Sequence, residues 1–124
     1  VRRIINRLRQ EKFIDEARFA RAFVSDKFRF NHWGKYKIRC ELLRKEISEE
    51  EIELALSSLE MEEYDQVLMD LLKTKMKSVK AKDERERYYK LLRFAVGRGF
   101  QPAEAGACLK RLLKGGDHEE FDMD

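Results

Sequence analysis

Residues 37–59 read KIRCELLRKEISEEEIELALSSL, and residues 90–112 read KLLRFAVGRGFQPAEAGACLKRL. The two segments align without a gap when Ile38 is placed on Leu91. Each shows the three- and four-residue apolar spacing of an amphipathic helix, then a short turn, then a second such helix. The aligned apolar pairs are Ile38–Leu91, Leu42–Ala95, Leu43–Val96, Ile47–Phe100, Ile52–Ala105, Ala55–Cys108, Leu56–Leu109 and Leu59–Leu112. This agreement across two helices and their turn indicates an internal helical repeat.

The turn inside each repeat calls for unusual backbone. Gly99 is placed as a left-handed C-terminal cap, and Pro102 as a residue of the first turn of the next helix. The alignment puts Glu46 on Gly99, and a residue other than glycine with positive φ costs about 1 kcal/mol. We therefore expect the turn before Ser48 to be adjusted. Ser48 and Glu51 are predicted to form a capping box.

Further helices precede each aligned pair. Apolar spacing predicts a helix over Val1–Glu11, a second that begins at the N-cap Asp15, and another near Glu63–Val79. The residues expected to face the core include Phe19, Tyr36 and Leu43.

These elements predict an all-α fold of tandem three-helix repeats in an elongated array whose curvature is left open. With 1 Pro and 6 Gly, turn residues are too sparse for an all-β fold. The predicted organisation is the end of a truncated first repeat (1–13), two three-helix repeats (14–60 and 61–114) and an acidic, disordered tail (115–124).

Charge is unevenly distributed along the chain. Charged residues make up 41% of the sequence, and the net charge is +3. Segments 48–66 and 115–124 contain no Lys or Arg, whereas 1–47 and 67–114 carry a strong excess of both. Such segregation indicates a polyanionic partner, although solvated helix faces would produce the same pattern.

The sequence offers no pattern for catalysis, a cofactor or a metal. It has no Walker loop, GxSxG or HExxH motif. Cys40 and Cys108 form no CxxC pair, and no secretion signal or membrane-length apolar run is visible. We therefore expect a cytoplasmic, monomeric protein with buried thiols, no membrane partner and no enzymatic activity.

The stretch most informative about function is Arg18–Lys45, RFARAFVSDKFRFNHWGKYKIRCELLRK. Lysine and arginine neutralise phosphates, and aromatic rings stack on unpaired bases. Phe30, Trp33 and Tyr36 are assigned to stacking or to the core with equal weight. The predicted binding residues are six from this stretch and three from the basic segment 67–114. They are Arg21, Lys27, Arg29, Lys35, Lys37, Arg39, Arg87, Arg93 and Arg98.

Several short motifs resemble the bacterial regulatory protein RecX family. They are FARAFVSDK (19–27), Trp33-Gly34, Ile38-Arg39, Glu41-Leu42 and KEIS (45–48), followed by LLRF (91–94), RGF (98–100) and Pro102. The resemblance implies tandem three-helix repeats, here the second and third with the end of the first. It also implies binding in the groove of the RecA–single-stranded-DNA filament, where ATP hydrolysis, strand exchange and filament growth are hindered. Glu46 departs from the glycine of the family's turn.

Two other functions fit the same residues. A helical protein could bind single-stranded or duplex DNA directly, without RecA. Alternatively, an α-helical scaffold could pair the acidic and basic blocks between neighbouring repeats.

Overall fold

A computed structural model describes the backbone of residues 2–121 and the side chains of residues 15–113. Within residues 2–121 the chain is entirely helical apart from its turns, and the predicted all-α class is confirmed. The helices are α1 (Arg2–Arg29), α2 (Lys35–Arg44), α3 (Glu49–Ser57), α4 (Met61–Met76), α5 (Glu84–Gly97) and α6 (Pro102–Phe121).

Helix α1 is continuous over Arg2–Arg29, so the two separate helices predicted here, and the N-cap at Asp15, are wrong. No proline or glycine occurs in this segment. Extending an existing helix adds one hydrogen bond for each residue that is fixed, and the segment contains no proline or glycine to stop this extension. A repeat boundary between residues 13 and 14 has no helix break to mark it and stays a prediction.

The helices form two three-helix units. In the first, α1 packs on α2 and α3, and these two pack on each other. In the second, α4 packs on α5 and α6, which likewise pack on each other. One hydrophobic cluster runs through both units and includes Phe28, Leu42, Leu68 and Leu109. The predicted tandem of three-helix units is therefore confirmed.

Four residues predicted to lie on apolar helix faces are exposed, one of them Val96, which retains 40% of its accessible surface. Tyr36 retains 61% of its accessible surface, Leu43 retains 42% and Phe19 retains 44%. Tyr36 and Leu43 stand seven residues apart on one face of α2, beside the stripe of Ile38 and Leu42 that is fully buried. A short helix packed on one side buries only that narrow stripe.

The turns within the two units are nearly identical. Glu46 has φ 64° and Gly99 has φ 103°. The Ile47 N–H donates to the Leu42 carbonyl (3.1 Å), as the Phe100 N–H does to the Ala95 carbonyl (3.1 Å). The expectation that Glu46 would force an adjusted turn is wrong. The turn hydrogen bonds and the burial of Ile47 offset the left-handed strain.

The predicted cap at Ser48 is confirmed, although the hydrogen bonds among residues 15–113 do not include the second one of a capping box, from the Ser48 N–H to the Glu51 side chain. The Ser48 hydroxyl accepts a hydrogen bond from the Glu51 N–H (3.3 Å), and the Asp83 carboxylate accepts one from the Glu86 N–H (2.8 Å). Pro102 begins α6, and the Glu104 carboxylate accepts from the Gln101 N–H (3.0 Å). Helices α3, α5 and α6 therefore have a defined start.

Backbone groups join the two units end to end. The Gly34 N–H donates to the Arg98 carbonyl (2.7 Å), and the Tyr36 N–H donates to the Gly99 carbonyl (3.0 Å). We call this contact the unit junction. It satisfies donors at the start of α2 with acceptors at the end of α5, so the positive end of one helix dipole meets the negative end of the other.

Helix α6 continues to Phe121, through most of the 115–124 segment for which disorder was predicted. After Pro102 the helix contains no further proline, and a helix already formed extends through Gly106, Gly115 and Gly116 at a cost of about 1 kcal/mol each. Residues 122–124 lie outside the described part of the chain.

We expect Gly99→Ala to lower the free energy of unfolding by at least about 2 kcal/mol. Its φ of +103° disfavours a side chain, and the added Cβ would lie 2.8 Å from the Lys37 backbone nitrogen. Urea denaturation followed by circular dichroism measures the effect.

The control is Gly97→Ala, at a helical position where an added Cβ meets nothing within 4 Å. This variant should gain about 0.5–1 kcal/mol because alanine is the better helix former. Equal effects of the two substitutions would contradict a close contact at the unit junction.

Candidate polyanion-binding surface

Aromatic rings and lysines of the first unit converge on one surface of α1 and α2. The Phe19 and Phe23 ring centroids are 5.7 Å apart, and those of Phe23 and Trp33 are 6.4 Å apart. Three ammonium groups lie against the last two rings. We call this set the lysine–aromatic cluster: Phe19, Phe23, Lys27, Trp33, Lys37 and Lys45.

The ammonium groups lie at cation–π distances from the rings. Lys27 Nζ is 5.5 Å from the Phe23 centroid and 5.0 Å from that of Trp33. Lys37 Nζ is 4.7 Å from the Trp33 centroid, and Lys45 Nζ is 5.8 Å from that of Phe23. A ring attracts a cation through its quadrupole without cancelling its charge. The cluster therefore holds three positive charges close together.

Local structure places these groups. Phe19, Phe23 and Lys27 follow each other at four-residue intervals along one face of α1. At the end of this helix, His32 takes a left-handed φ of 57°, and the Trp33 N–H donates to the Lys27 carbonyl (3.0 Å). This cap folds the half-buried Trp33 back toward the cluster.

Three of the predicted binding residues lie instead between the two units. Arg29 pairs with Glu63 of α4, with both nitrogen–oxygen distances 3.1 Å. The Lys35 ammonium lies 4.9 Å from the Tyr64 ring centroid. The Arg98 guanidinium donates to the Asn31 carbonyl. These groups connect the units, a role that the sequence pattern did not indicate.

Tyr64 is the buried aromatic centre of this contact. Its ring lies 5.5 Å from that of Phe28 and 5.2 Å from that of Phe100, and its hydroxyl accepts a hydrogen bond from the Lys35 N–H (2.9 Å). Burial raises the pKa of Tyr64 well above its usual range, and the Lys35 hydrogen bond opposes this only in part.

The remaining predicted residues divide into paired and exposed groups. Arg39 pairs with Glu53 of α3. Arg87 lies 3.7 Å from Glu84 and donates to the Met76 carbonyl (3.4 Å). Arg21 and Arg93 are exposed, and among side chains 15–113 neither has an ion pair.

The nine predicted residues therefore do not form one site. Only Lys27 and Lys37 lie in the lysine–aromatic cluster. Lys45 completes it and was not predicted as a site residue, although it falls within the basic–aromatic stretch. Its eight-residue spacing from Lys37 places both on about the same side of the chain and could have signalled it.

The three aromatic residues that the sequence assigned equally to stacking or to the core differ in exposure. Trp33 is half-buried within the cluster, whereas Phe30 is 78% exposed and Tyr36 is 61% exposed. The N–H groups of Gly34, Lys35 and Tyr36 all have protein acceptors, so these donors at the start of α2 are not free to hold a phosphate.

Other kinds of site are sparse among the described residues. They contain no group of three or more His, Cys, Asp or Glu residues arranged to hold a metal ion. None of their helices is long and apolar enough to cross a membrane. Cys108 is buried, which raises the pKa of its thiol, and Cys40 is half-buried.

Comparison with known proteins agrees with this architecture. Residues 15–56 match the family model described as RecX, second three-helix domain. The chain is 35% identical over 110 residues to the regulatory protein RecX of Chlorobium phaeobacteroides, covering 89% of this chain and 70% of that protein. It is 30% identical over 115 residues to the regulatory protein RecX of Clostridium tetani, covering 91% and 52%. No solved structure matches.

The fold and these matches define the class, an all-α protein built of tandem three-helix units. More narrowly, the chain belongs to the RecX family. It is also 31% identical over 118 residues to the regulatory protein RecX of Clostridium acetobutylicum, covering 91% of this chain and 54% of that protein. The chain thus spans about half the length of its clostridial relatives.

We expect the stability of the protein to fall as pH rises above about 10, the ordinary tyrosine pKa. The raised pKa keeps Tyr64 protonated in the folded state. Above the unfolded pKa the unfolded chain binds fewer protons than the folded one, so unfolding is favoured as pH rises. Urea midpoints between pH 8.5 and 11 measure this.

Tyr64→Phe is the matched variant. It should lose about 1 kcal/mol at neutral pH through the lost hydrogen bond to Lys35 and show a flatter dependence above pH 10. Tyr89→Phe, at a half-exposed position, is the control and should behave like the parent. A Tyr64→Phe profile parallel to that of the parent would refute this assignment.

Proposed function

We propose that the chain binds the RecA–single-stranded-DNA filament and inhibits RecA ATPase activity, strand exchange and filament growth. The observation that carries the proposal is the position of the lysine–aromatic cluster. The cluster lies within residues 15–56, the segment that matches the second three-helix domain of RecX. The lysine–aromatic cluster is thus part of the region that the family shares.

Electrostatics supports a polyanionic partner. Among side chains 15–113, Lys27, Lys37 and Lys45 contact rings and form no ion pair with a carboxylate, so their charges remain available to a ligand. Binding a polyanion through such groups releases counterions and weakens as salt rises. Binding to the filament should follow this dependence, with charge pairing and no catalysis by the chain itself.

The arrangement of the two units also supports a long binding surface. The end of α5 is hydrogen-bonded to the start of α2, so the basic residues of both units belong to one continuous structure. Tandem helical units commonly present an extended face to their partner.

Direct DNA binding is the second candidate, and the exposed rings of Phe30 and Tyr36 favour it. Both residues fall within the basic stretch Arg18–Lys45, and solvent-exposed aromatics beside cations suit unpaired bases. The Arg29–Glu63 pair across the units is the feature that favours a scaffold. A single exposed pair is worth less than about 1 kcal/mol, so it supports this third candidate weakly.

The test is RecA ATPase activity on single-stranded DNA, with the chain added before or after filament assembly. Dose-dependent inhibition, stronger when the chain precedes assembly, is the expected result. An unchanged ATPase rate with tight binding to bare DNA would favour the direct DNA-binding protein. An unchanged ATPase rate together with an absence of DNA binding would favour the α-helical scaffold.

Arg93→Gln and Arg98→Gln should separate binding from structure. Arg93 is exposed, so its variant should unfold at the parent's urea midpoint and inhibit RecA less. Arg98→Gln removes the contact to the Asn31 carbonyl and should lower the free energy of unfolding by about 1–2 kcal/mol. Equal urea midpoints for the two variants would contradict the structural role of Arg98.

A further inference from the structure

We propose that Lys27, Lys37 and Lys45 of the lysine–aromatic cluster bind the phosphates of single-stranded DNA directly, with the Phe19 ring as a stacking face for a base. The choice of ligand rests on the proposed function, since single-stranded DNA is part of the RecA filament. The proposal goes further because it assigns the DNA contact to one cluster and distinguishes it from the other basic residues.

The second unit provides an internal comparison. In the register that places Ile38 on Leu91, Lys37 corresponds to Lys90. Lys90 is neutralised by Glu86 (3.2 Å), which stands four residues before it. The residue four before Lys37 is Trp33, whose ring attracts the ammonium without neutralising it. Among side chains 15–113, the same position therefore carries a charge paired with a carboxylate in the second unit and a charge without such a pair in the first.

The same register places Lys45 on Arg98. The Arg98 guanidinium is used inside the protein, where it donates to the Asn31 carbonyl and lies 6.0 Å from the Phe94 ring centroid. Lys45 lies over Phe23 and has no ion pair among side chains 15–113. Lys37 and Lys45 of the first unit are thus available to a ligand. The equivalent cations of the second unit, Lys90 and Arg98, already have partners within the protein.

Lys27 joins these two charges into one site. Its ammonium lies against both the Phe23 and the Trp33 rings, which the Lys45 and Lys37 ammonium groups also contact. Three like charges near two rings repel one another, and a bound phosphate chain relieves that repulsion. An extended polyanion fits this arrangement because each lysine is a point charge with three donors.

Phe19 indicates a single strand rather than a duplex or an acidic protein surface. Its ring is 44% exposed and lies 5.7 Å from Phe23 at the edge of the cluster. A cationic groove bordered by an exposed aromatic ring is the arrangement that binds single strands, because each unpaired base offers a face for stacking. Duplex DNA has its bases stacked inside and would leave Phe19 unused.

Trp33 makes the cluster directly observable, because it is the single tryptophan of the chain. We expect its fluorescence to change when an oligothymidylate is titrated into the protein. In the triple variant Lys27→Gln, Lys37→Gln, Lys45→Gln, binding at low salt should weaken by at least tenfold. The slope of log K against log salt should fall by about 2, since each lost phosphate contact on a single strand removes about 0.7.

The matched control removes three exposed lysines elsewhere: Lys73→Gln, Lys77→Gln and Lys110→Gln. The charge change is the same, but the slope should stay within about 0.7 of the parent value. Circular dichroism and urea midpoints verify that both triple variants fold. If the two variants lose affinity and slope equally, the effect is one of general charge and the proposal is overturned.

Phe19→Ala tests the stacking face. It should weaken oligothymidylate binding about tenfold while leaving the salt slope unchanged, because it removes a ring and no charge. Leu54→Ala, at an exposed apolar position on α3, is the control and should bind like the parent. Parent-like binding by Phe19→Ala would overturn this part of the proposal.

The RecA assay distinguishes failure of this inference from failure of the proposed function. If the parent chain leaves RecA ATPase unchanged but binds oligothymidylate through the cluster, the proposed function fails and the DNA site stands. If the parent inhibits RecA and the cluster variant loses inhibition while keeping the parent's oligothymidylate affinity, the cluster contacts an acidic protein surface. That result would overturn the DNA site.

Discussion

The unit junction is the constraint on which the arrangement of this protein depends. Two backbone donors at the start of α2 bond to the carbonyls of Arg98 and Gly99 at the end of α5. A Cβ on Gly34 would overlap the backbone of Gly99 and Phe100, so the approach is possible only without a side chain at this position. Because backbone atoms make the contact, it sets the relative position of the units more tightly than long exposed side chains could.

The unit junction also positions the side chains that surround it. Tyr64 fills the space between Phe28 of the first unit and Phe100 of the second, and its hydroxyl satisfies the Lys35 N–H. The loop held there begins with the left-handed turn that returns Trp33 to α1. The lysine–aromatic cluster and the unit junction are therefore connected through a few residues of one loop. Some basic residues of that region contact aromatic rings, and others contact groups of the other unit.

Much of the fold could be predicted from local pattern. The register that pairs Ile38 with Leu91 correctly aligned the two turns, although the adjustment expected at Glu46 does not occur, and Ser48 and Pro102 correctly indicated two helix starts. The errors occurred where local pattern lacks information. Asp15 has the chemistry of a cap, but nothing before it ends the helix. Leu43 has apolar character, but no neighbouring element covers its face of α2.

The sequence by itself determined the helices, their repeat and the excess of positive charge, because these depend on residues a few positions apart. Only the tertiary structure decided which cations are available. Lys37 and Lys90 occupy equivalent positions, and Glu86 neutralises one while Trp33 supports the other. Arg29 and Arg98 are equally basic, yet their partners, Glu63 and the Asn31 carbonyl, lie in distant parts of the sequence. Charge compensation depends on distances of a few ångströms in space, which helical periodicity does not specify.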